Sequence, residues 1–248
     1  MKKILSLIFV LIIIISSVTL SSCDDKEIQH NNGDEIEKLA DKTPYQAYKE
    51  SFDHISTATS FEMLITTNYV MKYLDNVDSN VKLESYKTDG VTAYYSSKYD
   101  NEIVEERWYV DGVMYSVQDG NKKKTQVSAE SFKKDYSMDI ARYVISLEES
   151  SFSDSKFVFE DGVYYITLEL MQDKYIAYMG MNTSSSGLCK IGFDSQGNII
   201  SLKVSGVYTS HGGVDIETEQ TVEFKNIGST SAKSAPADKD SFSAVLAE

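Results

Sequence analysis

The sequence predicts an α+β domain in which a curved antiparallel β-sheet packs against helices. Apolar residues first recur every three to four positions and then, from residue 61, at every second position, which indicates a helix followed by strands. Asp-Gly pairs separate several of the strand-like runs, and such pairs favour tight hairpins between antiparallel neighbours. The 17 tyrosines and 10 phenylalanines, many of them in alternating runs, are typical of a sheet with one buried face.

The chain after residue 42 opens with an amphipathic helix. Thr43 is a favoured N-cap residue, and Pro44 suits the first helical position because the N–H group that it lacks would be unpaired there anyway. The apolar stripe that follows comprises Tyr45, Tyr48, Phe52 and Ile55. Because a stripe of this kind must be buried, we expect the helix to pack against the sheet.

Strands joined by short turns follow this helix. Apolar and polar residues alternate over residues 61–66, and similar runs recur as far as residue 227. Glycine adopts the left-handed backbone of a two-residue turn without a steric cost, so Asp-Gly between two runs indicates a hairpin. The turns are predicted at Asp111-Gly112, Asp161-Gly162, Asp194–Gly197 and residues 211–213.

Shorter helices interrupt the strands. Ser128 is the expected N-cap of a helix that runs to about residue 136, and further helices are predicted over residues 138–147 and 172–181. The sequence has no internal repeat and no second domain boundary. Residues 43–248 are therefore predicted to form one domain with a weakly ordered tail after residue 229.

The first 23 residues have the layout of a secretory signal. Lys2 and Lys3 precede an apolar run over residues 4–15, which is too short for a confident membrane span. Leu20-Ser21-Ser22-Cys23 resembles the lipobox of bacterial lipoproteins. The resemblance implies that residues 1–22 are removed and that Cys23 carries a diacylglycerol thioether, which would hold the protein on the extracytoplasmic side of a membrane. Residues 23–42 then form the acylated cysteine and a flexible acidic tether.

The charge of the chain argues against nucleic acid as a partner. The formal net charge is −14, and removal of Lys2 and Lys3 with the signal makes it −16. A body this acidic is repelled by phosphate backbones and by anionic lipid headgroups.

The cysteine count agrees with lipidation. Cys23 and Cys189 are the two cysteines of the chain, and an acylated Cys23 cannot form a disulfide. Cys189 is interpreted as a small buried apolar residue, and a reactive or intermolecular thiol is the alternative.

The order of elements resembles that of the LolA/LppX-like lipoproteins. The phrases that carry the resemblance are "DGVMYS", "DGVYYITLEL", "IGFDSQGNIISLKV" and "TVEFKNIGS", within about residues 43–240. The resemblance implies an incomplete β-barrel, wrapped around helices, with an apolar concavity that binds a lipid or another amphiphile. LolA carriers are soluble, whereas this chain is predicted to be anchored, which favours a stationary acceptor, scaffold or sensor. The carriers' ligand-locking arginine has no assigned counterpart here.

No residue pattern indicates catalysis, a metal or a cofactor. The three histidines, His30, His54 and His211, lack the spacing of metal ligands, and Asp194–Gly197 lacks the downstream glutamate of a calcium loop. The serines near residue 185 do not lie in a nucleophile elbow, and phosphate-binding loops are absent. We therefore expect a protein without enzymatic activity, metal or cofactor.

The apolar residues at alternate strand positions are the candidate ligand-binding residues, and we expect them to share one face of the sheet unless the strands differ in which alternate positions point inward. They are Met63, Ile65, Tyr95, Trp108, Val110, Met114, Ile166, Leu168, Leu202 and Val204. Methionine and aromatic side chains suit flexible acyl chains, but the same residues could simply pack against the helices. The alternative function is a non-catalytic interaction or adhesion scaffold without a small ligand, with an exposed aromatic patch around Tyr94 and Tyr99.

Overall fold

A twelve-stranded sheet forms the body of the chain in the computed structural model, which describes residues 39, 41–73, 76–135, 140–179, 187–209, 214–231 and 234–245. The strands are β1 (Phe61–Tyr73), β2 (Asn76–Thr88), β3 (Ala93–Tyr99), β4 (Glu102–Val110), β5 (Val113–Gln118), β6 (Asn121–Gln126), β7 (Val158–Glu160), β8 (Val163–Leu170), β9 (Gly187–Phe193), β10 (Ile199–Thr209), β11 (Asp215–Lys225) and β12 (Ser243–Ala244).

The sheet is curved and does not close. Its order is β12-β6-β5-β4-β3-β2-β1-β11-β10-β9-β8-β7, and all neighbours are antiparallel except β12, which pairs parallel with β6. Asp111 and Asp161 adopt positive φ angles of 52° and 49° before their glycines, as the predicted hairpins require. The predicted α+β class with a curved, incomplete barrel is confirmed.

Helix α1 (Pro44–Ser56) begins as the sequence predicts. The Thr43 hydroxyl accepts a hydrogen bond from the N–H of Gln46, and the Gln46 side chain accepts one from the N–H of Thr43, which is a capping box. The predicted stripe packs into the core, where Tyr48 and Ile55 are almost completely buried.

Two polar groups fix α1 in place. The Tyr48 hydroxyl donates to the C=O of Ile145 and accepts from the N–H of Leu147 at 3.0 Å. On the next turn, the buried hydroxyl of Ser51 accepts from the N–H of Ile199 at 2.6 Å. Each bond satisfies a backbone group that is inside the protein and has no access to water, so α1 is held by directional contacts as well as by apolar packing.

Two of the three further helices that the sequence predicts are present, and the third is shorter than predicted. Helix α2 (Ala129–Asp135) and helix α3 (Gln172–Met179) confirm their predicted positions. The helix predicted over residues 138–147 is wrong beyond residue 143, because the structure has a 3-10 helix at Ile140–Tyr143 and irregular chain after it. The physical reason is that Ile145 and Leu147 bond to the Tyr48 hydroxyl instead of to helical neighbours. Shorter 3-10 helices lie at Glu149–Phe152 and Lys239–Ser241.

Several sequence predictions fall on residues that the structure does not describe. The signal at residues 1–22, the lipidated Cys23, most of the tether and the turn at residues 211–213 lie outside the described ranges. Leu39, within the predicted tether, is buried in the core, so packing begins before residue 43. No helix among the described residues has the length and apolar composition needed to cross a bilayer.

Candidate functional site

The predicted ligand-binding residues do not all lie on one face of the sheet. Directly paired residues of neighbouring strands point to the same face, so Met63 shares a face with Tyr86, Tyr95 and Arg107. We call this the inner face. The predicted residues on it are Met63, Ile65, Tyr95, Met114, Ile166, Leu168, Leu202 and Val204.

Trp108 and Val110 lie on the opposite, outer face. Trp108 pairs with Tyr94 and Tyr115, and Val110 pairs with Val113, whereas Tyr109 between them is buried on the inner face. The prediction that these two residues share a face with the others is wrong, because the β4 side chains that point to the inner face are those of Arg107 and Tyr109.

Most of the predicted inner-face residues are already covered. Met63, Ile65, Ile166, Leu202 and Val204 have no exposed surface and belong to the core that packs under the helices. Covered side chains of this kind stabilise the fold and leave no room for a ligand directly above them. The available space therefore lies beside this core.

An apolar cleft of about 530 Å³ opens at one end of the inner face. It lies between the C-terminal end of α1, the first residues of β1, the β2–β3 connection and α2. The apolar side chains that line it are Ala58, Phe61, Val91, Ala93, Tyr109, Ala129, Phe132 and Ile140. Tyr109 stacks on Phe132, with ring centroids 4.8 Å apart, so α2 is held over the end of β4 by an aromatic pair.

The β2–β3 connection forms a fixed rim of this cleft. Asp89 Oδ1 accepts hydrogen bonds from the N–H groups of Val91 and Thr92, at 2.9 and 2.7 Å. Gly90 follows with a φ of 92°, a conformation that side-chain-bearing residues rarely adopt. The turn leaves Val91 exposed at the mouth of the cleft.

A polar cluster lies next to the cleft on the same inner face. We call it the Glu84 cluster: Lys82, Glu84, Tyr86, Tyr95, Glu105, Arg107 and Tyr143. Glu84 Oε1 accepts from the Tyr95 hydroxyl at 3.0 Å and from the Tyr86 hydroxyl at 3.4 Å, and lies 3.0 Å from Lys82 Nζ. The Tyr143 hydroxyl donates to that of Tyr86 at 3.2 Å.

The sequence predicted only Tyr95 of this cluster as a site residue. Glu84 and Tyr86 lie on β2. This strand has few apolar residues, so the alternation of apolar and polar residues does not predict it. Arg107 lies beside Tyr95, with its guanidinium 5.9 Å from the ring centroid, and it pairs with Glu105.

Burial raises the pKa of Tyr86, Tyr95 and Tyr143, and the nearby Glu84 carboxylate raises these values further. The folded state thus favours the neutral phenols. Their contribution to stability is complete below the ordinary tyrosine pKa of about 10 and is lost as the pH rises toward the higher folded-state values.

We therefore expect alkaline unfolding above about pH 10 in which these tyrosines ionise together with the loss of structure. Tyrosinate absorbance and far-ultraviolet circular dichroism, recorded on the same titration, test this. Gradual ionisation of all tyrosines near pH 10 with unchanged dichroism would contradict it.

The outer face contains a second, shallower groove of about 780 Å³. Exposed Val81, Leu188 and Val207 line it together with the acidic residues Glu169, Glu217 and Glu219. Lys72 and Lys203 pair with Glu217 and Glu219.

The aromatic patch expected around Tyr94 and Tyr99 is not formed. Tyr94 is buried on the outer face and its hydroxyl donates to Glu106 at 2.7 Å. Tyr99, five residues further along β3, pairs with Lys82 and points to the inner face. The two side chains therefore lie on opposite faces of the sheet.

Cys189 lies in the core with no exposed surface, and burial raises the pKa of its thiol to about 12. A neutral buried thiol is a poor nucleophile, so the structure agrees with a packing role.

Asp194 Oδ1 accepts from the N–H groups of Gln196 and Asn198 and forms a hairpin turn. Within the described ranges, no group of His, Cys, Asp and Glu side chains has the arrangement of a metal site.

No protein-family model and no curated protein sequence matches the chain. Among solved structures, it is similar to the lipoprotein LppX of Mycobacterium tuberculosis, with 9% identity over 74% of this chain and 93% of the other and a TM-score of 0.42. It is also similar to a LolA superfamily protein of Nitrosomonas europaea, with 10% identity over 79% and 96% of the two chains and a TM-score of 0.26. A DUF1329 family protein of Desulfovibrio piger matches at 13% identity over 80% and 98% of the chains, with a TM-score of 0.26. Two of these three solved structures, the LppX lipoprotein and the LolA superfamily protein, carry the names of the group that the sequence resembles.

Proposed function

We propose that the protein is an extracytoplasmic lipoprotein, anchored through Cys23, that binds the apolar part of a lipid or another amphiphile without catalysing a reaction. The observation that carries this proposal is the apolar cleft between α1, α2 and the inner face. The lipobox-like sequence Leu20–Cys23 supports the anchor and the location.

The size and lining of the cleft suit an acyl chain. Pockets that hold small molecules commonly have volumes of about 300–1,000 Å³ and mostly apolar walls with a few polar groups. Here the walls are alanine, aliphatic and aromatic side chains, and the polar groups are mainly threonine and serine hydroxyls. Among the described lining residues, Glu130 is the one with a charged side chain. An apolar chain that enters the cleft therefore removes little water from charged groups.

The position of the cleft provides a path for entry. Two walls of the cleft are helical: the C-terminal end of α1, and α2. Side-chain contacts, such as the Tyr109–Phe132 stack, join these helices to the sheet. Val91 and Glu130 on the rim are exposed. A ligand thus reaches the cleft without displacing the wholly buried core around Met63 and Ile65.

The proposal is tested by filling the cleft with a larger side chain. Delipidated protein is titrated with a fluorescent fatty acid, with and without the substitution Ala58→Trp, which places an indole at the cleft wall. We expect saturable binding by the natural protein and a weakening of at least about tenfold, equivalent to about 1.4 kcal/mol, in Ala58→Trp.

Ala177→Trp is the matched control, since Ala177 is exposed on α3 and does not line the cleft. It should bind as the natural protein does. Thermal unfolding of both variants verifies that they fold. Absence of uptake by the natural protein, or equal affinity in all three proteins, would contradict the proposal.

A scaffold without a small ligand is the second candidate, and the outer groove favours it. The apolar side chains of Val81, Leu188 and Val207 are exposed in this groove, on the face away from the cleft. The fatty-acid titration separates the candidates, because a scaffold of this kind predicts no uptake.

A further inference from the structure

We propose that the groove of about 780 Å³ on the outer face, which we call the outer groove, docks a basic amphipathic helix of a partner protein. The inference adds a protein partner to the proposed function and does not depend on the cleft, because the two sites share no lining residue. Four properties of the groove carry it: its course across the strands, its length, its apolar floor and its charge.

The outer groove runs across the strands. Directly paired residues line up from strand to strand, and two adjacent rows of outer-face side chains lie along the groove. The shorter row crosses from β2 to β10 and includes Val70, Glu217 and Val207. The longer row crosses from β2 to β8 and includes Val81, Glu219, Leu188 and Glu169. An occupant that follows the groove therefore crosses the strands.

The centre of the groove offers no free strand edge. On β1 and β11, every residue that lines the groove is paired with a neighbouring strand on both sides. A peptide that joins a sheet as a further strand needs an unpaired edge and runs along the strands. The occupant of the groove is therefore held by side chains, and an amphipathic helix presents such side chains along one face.

The dimensions of the groove suit a helix of about four turns. Neighbouring strands lie about 4.8 Å apart, so the longer row, from β2 to β8, spans about 24 Å. A helix rises about 1.5 Å per residue, so about 16 residues cover this distance. The two rows are about 7 Å apart, and a helix about 10 Å in diameter contacts both of them.

The floor of the groove supplies apolar contacts along its whole course. Val81, Leu188 and Val207 are 38%, 51% and 38% exposed, and Val70 lies between Val81 and Val207 in the order of the strands. Exposed aliphatic side chains that line one groove are typical of a surface that another protein covers. The apolar stripe of a helix would contact them one after another.

The charge of the groove favours a basic helix. Glu169, Glu217 and Glu219 line it, and none of the described lining residues is basic. Lys72 and Lys203 pair with Glu217 and Glu219 from adjoining positions, and exposed ion pairs of this kind contribute little to stability. The exposed Glu169 has no hydrogen-bond or ion-pair partner among the described residues. Lysine or arginine side chains beside the apolar stripe of a helix would meet these carboxylates.

The same charge argues against two other occupants. Residues 24–38 of this chain are acidic, and a second copy of the chain carries the same negative net charge. Like charges that meet at an interface are unfavourable. A basic segment of another protein is the occupant that complements both the groove and the charge of the whole chain.

The experiment uses two designed peptides of about 16 residues with the same leucine stripe along one helical face. Lysines flank the stripe in the first peptide, and glutamates take their places in the second. Binding to the full protein is measured by fluorescence anisotropy at about 0.15 M salt, which screens long-range attraction. We expect saturable binding of the lysine peptide, at least about tenfold tighter than that of the glutamate peptide.

Two pairs of variants locate the binding site. Glu169→Lys should weaken binding of the lysine peptide at least about tenfold, whereas Glu102→Lys should change it by less than about twofold. Glu102 is exposed on β4 and does not line the groove, so this variant changes the net charge equally. Val207→Gln should weaken binding at least about fivefold, and Val158→Gln should not. Val158 is likewise an exposed valine on the outer face, but it lies on the edge strand β7.

Three results would overturn the proposal. They are equal binding of the two peptides, equal weakening by Glu169→Lys and Glu102→Lys, and unchanged binding in Val207→Gln. Sedimentation velocity of the protein alone checks the remaining occupant, because a dimer that Val207→Gln abolishes would assign the groove to a second copy. Fatty-acid uptake should be unchanged in all four variants, so a failure of the groove and a failure of the cleft are distinguishable.

Discussion

Tyr48→Phe is expected to lower the free energy of unfolding by about 3 kcal/mol, although it removes a single oxygen atom. The Tyr48 hydroxyl is the partner of two backbone groups, the C=O of Ile145 and the N–H of Leu147. Both bonds are buried, so water does not replace the hydroxyl. A buried polar group without a partner costs about 1–3 kcal/mol, and two such groups are left.

Urea unfolding followed by circular dichroism measures this loss. Tyr45→Phe is the matched control, because Tyr45 is on the same helix and its ring packs against Phe152, but it is only partly buried. It should change the free energy of unfolding by less than about 0.5 kcal/mol. A similar small effect in Tyr48→Phe would show that the contact between α1 and residues 145–147 depends on apolar packing alone.

The same contact shows how far the sequence predicts this fold. The stripe that begins at Tyr45 places α1 against the sheet, because apolar spacing reports which side of a helix is buried. It does not report where a buried hydroxyl bonds. Tyr48 and Ser51 reach residues 97 to 148 positions away in the chain, at Ile145, Leu147 and Ile199, and no local pattern contains such a pairing.

Strand β2 shows the second limit. Its residues Asn76–Thr88 include lysine, glutamate, aspartate and asparagine, and they do not alternate in the manner of a half-buried strand. The strand forms because β1 pairs with it along its whole length and β3 pairs with its residues 82–88. The β2 side chains on the inner face are polar, among them Lys82 and Glu84, where the sheet extends beyond the core that packs under the helices. Glu84 lies on this strand, so the alternation of apolar residues indicates the core but does not indicate the polar cluster around Glu84.

The residues predicted to bind a ligand are not those that line the cleft, for a related reason. Apolar alternation identifies a face of a strand, but the most strongly apolar positions are those that the helices cover. The cleft instead has small or edge-of-core residues as its walls, among them Ala58, Ala93 and Thr88. Their participation depends on where α1 ends and where α2 lies, which are properties of the packed fold.

Gly206→Ala is expected to destabilise the protein by about 3 kcal/mol. Gly206 on β10 and Gly187 on β9 lie beneath the ring of Tyr175, which projects from α3 and is fully buried. A Cβ at Gly206 would be 2.6 Å from Tyr175 Cζ and 2.7 Å from its hydroxyl oxygen. The ring has no freedom to retreat, since its hydroxyl bonds to Thr218 Oγ1 at 2.6 Å. Overpacking of this kind costs about 1–3 kcal/mol, and loss of the bond adds to it.

A double-mutant cycle distinguishes this steric conflict from a general cost of alanine in a strand. Tyr175→Ala removes the ring and is itself destabilising, but Gly206→Ala made in that background should cost less than about 0.5 kcal/mol. The coupling energy would then be about 2–3 kcal/mol, measured by urea unfolding of the four proteins. If Gly206→Ala costs the same in both backgrounds, the ring is not what requires glycine at this position. In that case, contacts other than the packing of the Tyr175 ring on Gly187 and Gly206 would attach α3 to the sheet.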